Sequence, residues 1–90
     1  MMVFYVYLLE CNDGSLYCGY TTNLKRRVDE HNHSKKGAKY THNHRPVQLV
    51  YSRMFCKLSN ALEFEYQVKQ MTRPEKIDLI LSSKALTLAN

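Results

Sequence analysis

The sequence predicts an α+β domain with the element order ββαβαα, and three observations carry that reading. A β-branched and aromatic run, Val3 to Leu9, is followed by Asn12-Asp13-Gly14 and a second run, Ser15 to Tyr20. Two such runs around a turn tripeptide read as a β-hairpin. Helix-start signals come later, Thr22 or Asn23 before Leu24 and a capping box at Thr72-Arg73-Pro74-Glu75. Finally, 90 residues without a linker, repeat or low-complexity stretch make one small domain with a thin core.

Each element follows from its residues. The first strand, Val3 to Leu9, reads as buried on both faces. A three-residue Asn-Asp-Gly loop with Gly14 left-handed pairs Cys11 with Ser15. That register sets Tyr7 opposite Gly19 and Tyr17 opposite Leu9, so both tyrosines share one face of the sheet. A two-residue turn would separate them. A helix is expected from Leu24 to about Asn32, then a polar, basic loop from His33 to Arg45 that Pro46 ends. Val47 to Phe55 reads as a third strand. Ser59 is the expected cap of a second helix to about Met71, and the capping box opens a third helix to about Leu81. The domain is expected to span residues 1–82, with 83–90 a loosely held tail.

Composition excludes several classes. The apolar run at the start is too short to span a bilayer and Glu10 ends it, and no basic n-region precedes it. A cytoplasmic protein with no membrane partner is expected. Cys11, Cys18 and Cys56 are odd in number and lack metal-site spacing, which favours free buried thiols over a disulfide framework.

The net charge is +5, and the excess is concentrated. Lys25, Arg26, Arg27, Lys35, Lys36, Lys39 and Arg45 fall within 21 residues that hold only Asp29 and Glu30 as counter-charges. This is the footprint of a phosphate-backbone binder; a solvated helix face followed by a basic loop gives the same composition. On the first reading Lys25, Arg26, Lys35, Lys36, Lys39 and Arg45 contact nucleic acid, and Tyr40 offers a stacking platform.

Helical spacing singles out further polar groups. In the second helix Ala61, Phe64, Val68 and Met71 form the inward stripe, and Glu65 falls inside it while Glu63 points to solvent. A carboxylate so placed needs a paired cation or a metal ion. Mg²⁺ suits a single carboxylate because it retains most of its waters; an inward arginine is the competing partner. In the first helix Leu24 and Val28 define the apolar stripe, which Arg27 and His31 flank on one side while Lys25 and Arg26 point elsewhere. Phosphodiester cleavage needs a base for water, a cation for the developing phosphorane charge and a Lewis acid for the leaving oxygen, and these residues supply that chemistry. His31-Asn32-His33 and His42-Asn43-His44 also suggest a four-histidine site for Zn²⁺ or Ni²⁺, although no thiolate or carboxylate joins it.

Taken together these residues resemble the GIY-YIG nuclease superfamily. The first name motif aligns with Tyr5-Val6-Tyr7 and the second with Tyr17-Cys18-Gly19. The arginine ten residues after the second motif's tyrosine matches Arg27, the Tyr-or-His position one helical turn on matches His31, and the helical glutamate matches Glu65. The likeness spans roughly Val3 to Ile80. It is strongest to small stand-alone bacterial members, whose Gly-Ala-Lys-Tyr-Thr loop is present as Gly37 to Thr41, and weaker to the catalytic domains of UvrC and Slx-type nucleases. The departures are Tyr5 and Cys18 in the name motifs, no obvious asparagine after the second helix, and no partner domain.

The resemblance implies a three-stranded antiparallel sheet flanked by helices and metal-dependent hydrolysis of DNA, structure-specific and serving repair or recombination. In that picture Tyr17 is the general base or water-orienting group, with Tyr7 hydrogen-bonded beside it. Arg27 stabilises the phosphorane, His31 assists proton transfer or holds the scissile phosphate, and Glu65 ligates one Mg²⁺ or Mn²⁺. A tyrosine with an ordinary pKa of about 10 is a poor base at neutral pH, so nearby cations must lower it. DNA is the implied partner, and target choice is left to the DNA structure or to a specificity-conferring protein. The alternative is a non-catalytic nucleic-acid-binding module on the same fold.

Overall fold

The computed structural model describes residues 2–34 and 44–89, with side chains as far as residue 84. The described elements are β1 (Phe4–Glu10), β2 (Leu16–Thr21), α1 (Leu24–His33), β3 (Gln48–Phe55), α2 (Leu58–Gln70) and α3 (Arg73–Ala89). The order is ββαβαα, as expected. The strands form an antiparallel sheet in the order β2-β1-β3, with β1 central.

The hairpin register is the expected one. Gly14 adopts φ +84°, Cys11 N–H donates to Ser15 O at 2.8 Å, and Tyr7 pairs with Gly19 and Leu9 with Tyr17. Asp13 Oδ1 accepts from the N–H and hydroxyl of Ser15, which closes the turn as a side-chain-locked loop. One residue of β3 bulges opposite Leu8 and Leu9.

Because β1 is central and alternates, it feeds two separate cores, and Val6 to Leu9 are at most 1% exposed. On one face Val6, Leu8 and Cys18 pack with Ala61 and Val68 of α2 and Ile80 of α3. On the other, Tyr7 and Leu9 pack with Cys11 and Val47, flanked by Tyr17 and by Leu24 and Val28 of α1. The tyrosines therefore lie on the α1 face and the glutamate-bearing helix covers the opposite face.

Asn23 is the α1 cap, its Oδ1 accepting from Arg26 N–H at 3.0 Å. The capping box is formed: Thr72 N–H donates to Glu75 Oε1 at 2.8 Å, and Glu75 N–H to Thr72 Oγ1 at 3.4 Å. Three expectations need correction. Ser59 is not a cap, because α2 begins one residue earlier, behind Lys57. The last helix continues past Leu81 to Ala89, since no Gly or Pro interrupts Ser82-Ser83-Lys84-Ala85-Leu86. Cys56 is exposed rather than buried; it sits in the turn after β3, while Cys11 and Cys18 are buried and free as expected. Among the described residues, no helix is long and apolar enough to cross a membrane.

Candidate active site

The site begins with the one residue of the second name motif that has no side chain. A Cβ at Gly19 would stand 2.6 Å from Tyr7 Oη, 2.8 Å from Tyr7 Cζ and 3.3 Å from a ring carbon of Tyr17. Glycine is required here by space. Its bare backbone is the floor on which the Tyr7 phenol lies flat enough to reach α1.

Tyr7 Oη lies 2.8 Å from His31 Nε2, and both residues are essentially without solvent exposure. Burial drives each toward its neutral form. The Tyr7 phenol is pushed up to about 12 by desolvation, only partly offset by the Arg27 guanidinium that hydrogen-bonds it. The His31 imidazole is pushed down to about 4, first by desolvation and then by Arg27. The Arg27 N–H groups can only donate, so the Tyr7 oxygen accepts from Arg27. The phenol and the imidazole share one hydrogen across their contact, in the direction set by the imidazole tautomer. The result is a chain of guanidinium, phenol and imidazole in which only the guanidinium carries charge. Arg27 is completed by Glu30, Nη1 to Oε1 at 3.0 Å, one helical turn along α1.

Tyr17 stands at the mouth, half-buried, with its ring centroid 5.2 Å from that of His31 in an edge-on arrangement. The structure thus brings Tyr7, Tyr17, Arg27 and His31 together. Two details differ from expectation. The hydrogen-bond partners of Tyr7 are His31 and Arg27. And His31, at 0% exposed, is packed edge-on against both Tyr7 and Tyr17.

Glu65 arrives from the other face. Its side chain is 14% exposed, and its compensating charge is Lys69, whose Nζ lies 3.2 Å from Oε2. No inward arginine takes that place, because Arg27 is engaged by Glu30 and Tyr7. Glu65 followed by Lys69 is the favoured i,i+4 order, so helix geometry alone accounts for the pairing. Lys69 links the two halves of the site, since it lines one hollow with Tyr17 and Cys18 at the edge strand β2.

A model of the GIY-YIG catalytic domain matches residues 3–78. The chain belongs to the GIY-YIG family. It is 53% identical over 76 residues to a UPF0213 protein of Syntrophus aciditrophicus, covering 84% of this chain and 87% of that one. A UPF0213 protein of Staphylococcus haemolyticus is 50% identical over 76 residues, covering 84% and 92%. Among solved structures, the solution NMR structure of a UPF0213 protein from Bacillus halodurans is similar at 47% identity and TM-score 0.58, covering 88% of this chain and 83% of that one. That of a protein from E. faecalis is similar at 37% identity and TM-score 0.65, covering 94% and 90%.

A family of this nuclease type implies a divalent cation, and the donor set here suits a hard one. Glu65 offers a single carboxylate at the rim of the apolar stripe, with a half-exposed lysine as its present partner. One carboxylate with several retained waters is an ordinary Mg²⁺ or Mn²⁺ arrangement. The histidine alternative fares differently. His31 is buried on Tyr7, His33 lies 4.0 Å from Asp29 and His44 3.5 Å from Asp13, while His42 is outside the described residues. Among the described residues no three His, Cys, Asp or Glu side chains gather as a metal site.

The basic residues divide. Lys25 and Arg26 are exposed and Arg27 is not, as the helical wheel predicts; Lys25 and Arg26 line an open hollow with Asp29 and Asn32 on the outer side of α1. Lys35, Lys36, Lys39 and Tyr40 lie outside the described residues. Arg45 has a structural role that the sequence does not reveal. Its guanidinium donates to the carbonyls of Glu30, His31 and Ser34, the C-terminal turn of α1. Carbonyls at a helix C-terminus are natural arginine acceptors. Asn32 completes this latch by exchanging two hydrogen bonds with the Val47 backbone, and Asn12 Nδ2 donates to Arg45 O at 2.7 Å. The latch holds the turn that carries His31.

Proposed function

We propose that this GIY-YIG protein is a divalent-metal-dependent endonuclease that hydrolyses DNA phosphodiester bonds. The observation that carries the reading is the buried Tyr7–His31 hydrogen bond behind Arg27. A surface that only binds backbone phosphates needs exposed cations. It has no use for a half-buried guanidinium aimed by a phenol that is itself aimed by an imidazole.

Tyr7 and His31 both stay neutral across the physiological range, so neither serves as a base there. Their work is positional: they fix Arg27 where negative charge develops on the phosphorane, which removes reorganisation from the barrier. Tyr17, the phenol at the mouth, is the group placed to orient the attacking water or act as its base. Water adds to phosphorus as the P–O bond to the departing sugar oxygen breaks. Glu65 would hold the cation, which when bound supplies Lewis acidity toward a phosphoryl oxygen. Lys25 and Arg26 on α1, together with the basic segment that follows, give sequence-independent affinity for the backbone. Discrimination among DNA structures, and any place in repair or recombination, falls to substrate shape or a protein partner. Incubation with labelled flaps, branched junctions, nicked duplexes and single strands, with and without divalent metal, tests the reading directly. A metal-dependent product supports it; binding without turnover on every substrate would make the chain a binding module.

A further inference from the structure

One charged hollow adjoins the site at Tyr17 and holds a lysine, Lys76, that the chemistry above does not use. Because β2 is an edge strand, its neighbours Tyr17 and Cys18 face opposite sides of the sheet, and the hollow opens where the two sides meet. Leu16, Tyr17, Cys18, Lys69 and Lys76 line it. The two lysines come from different helices, Lys69 from α2 and Lys76 from α3, yet both line the hollow beside Cys18. Cys18 is no counter-ion for them, since it is a buried free thiol. Glu65 forms its ion pair with Lys69. One carboxylate thus faces two ammonium groups, and the hollow retains about one positive charge beside Tyr17.

We propose that this hollow is a second phosphate subsite, which takes the backbone phosphate flanking the scissile bond. A phosphodiester carries the single negative charge that the hollow lacks, and two lysine ammoniums suit it as point-charge donors. The proposal rests on the hydrolase reading, for it places the substrate strand across the edge of β2. The scissile phosphate then lies at the edge of β2, between Arg27 and Tyr17 on the α1 side and Glu65 on the α2 side, and the next phosphate lies in the hollow with Lys69 and Lys76. Tyr17 stands between the two.

The test is binding to a fluorescently labelled oligonucleotide in EDTA, followed by anisotropy across a salt gradient. Lys76→Gln should weaken binding and reduce the slope of log affinity against log salt by about 0.7–0.9, the loss of one phosphate contact. Lys76→Arg should restore the slope. Lys57→Gln, an exposed lysine at the start of α2, should leave it unchanged. A neutral methylphosphonate walked along the strand should weaken the wild type at one position where it no longer weakens Lys76→Gln. Equal slopes for wild type and Lys76→Gln, at unchanged melting temperature, would overturn the subsite, as would a wild type that binds no DNA. Cleavage measured with Mg²⁺ on the same oligonucleotides separates the two claims. A slope lost in Lys76→Gln without cleavage by the wild type leaves the subsite and removes the hydrolase; cleavage with unchanged slopes does the reverse.

Discussion

Replacing Gly19 with alanine places a methyl group 2.6 Å from Tyr7 Oη and 2.8 Å from Cζ. Ordinary contact between such atoms is about 3.5–4.0 Å, so the ring must retreat by about 1 Å. Tyr7 is 1% exposed and has no solvent side to yield into. Overpacking of this kind costs about 1–3 kcal/mol. The retreat also stretches the 2.8 Å bond to His31 Nε2 and leaves a buried donor and acceptor poorly met, about 1–3 kcal/mol more. The expected loss is therefore about 2–6 kcal/mol, or a fall in melting temperature of at least about 8 °C for a domain of this size. Urea and thermal unfolding followed by circular dichroism measure it. Tyr7→Phe in the same chain removes the nearest atom but leaves Cζ, so rescue should be partial. A Gly19→Ala protein within about 1 kcal/mol of wild type would refute the claim that this glycine makes room for the phenol.

Arg27→Ala should fold normally and lose about 10²–10³ in turnover at saturating DNA, whereas Lys25→Ala and Arg26→Ala should chiefly weaken binding; equal turnover losses in all three would contradict the wheel. His31 is held neutral in the fold, with its pKa lowered from 6.5 to about 4. The unfolded chain takes up a proton first as pH falls, so the stability His31 contributes is complete above about 6.5 and is lost on the way to 4. On the order of 2–3 kcal/mol should disappear between about pH 7 and 4.5, and less in His31→Gln; parallel urea titrations compare them. Arg45→Lys should lower the melting temperature and reduce kcat more than DNA affinity, because an ammonium cannot serve the carbonyls of Glu30, His31 and Ser34 as a planar fork does. A pure affinity loss would return Arg45 to the phosphate-binding surface.

Much of this architecture was legible because local chemistry determined it. Asn12-Asp13-Gly14 favoured a three-residue loop over a two-residue Asp-Gly turn, and that choice brought Tyr7 opposite Gly19 and put Tyr17 on the same face. Thr72 and Glu75 announced their helix by a reciprocal bond that the fold contains. What escaped was tertiary or competitive. Arg45 read as a surface cation since nothing local shows that it folds back onto the last turn of α1. Gly19 read only as part of a motif, because the atom that excludes a side chain belongs to another strand. Lys69 stands four residues after Glu65, but a carboxylate in an apolar stripe admits a metal ion or an inward arginine equally well, so the pairing waited on the fold. Lys76 carried no signal at all until two helices converged on Cys18.

Glu65 is where the enzyme reading is tested most directly. Its partner Lys69 is half-exposed, so Glu65→Gln leaves an ammonium that water can solvate, and the cost should stay below about 1 kcal/mol. The decisive measurement is cleavage of labelled branched, nicked and single-stranded DNA by wild type and Glu65→Gln in Mg²⁺, Mn²⁺ and EDTA, with melting curves for both proteins. The expected result is wild-type cleavage that EDTA abolishes, and a Glu65→Gln protein that melts like wild type yet cleaves nothing. Cleavage by Glu65→Gln at the wild-type rate, or a wild type inert on every substrate with metal present, would contradict it.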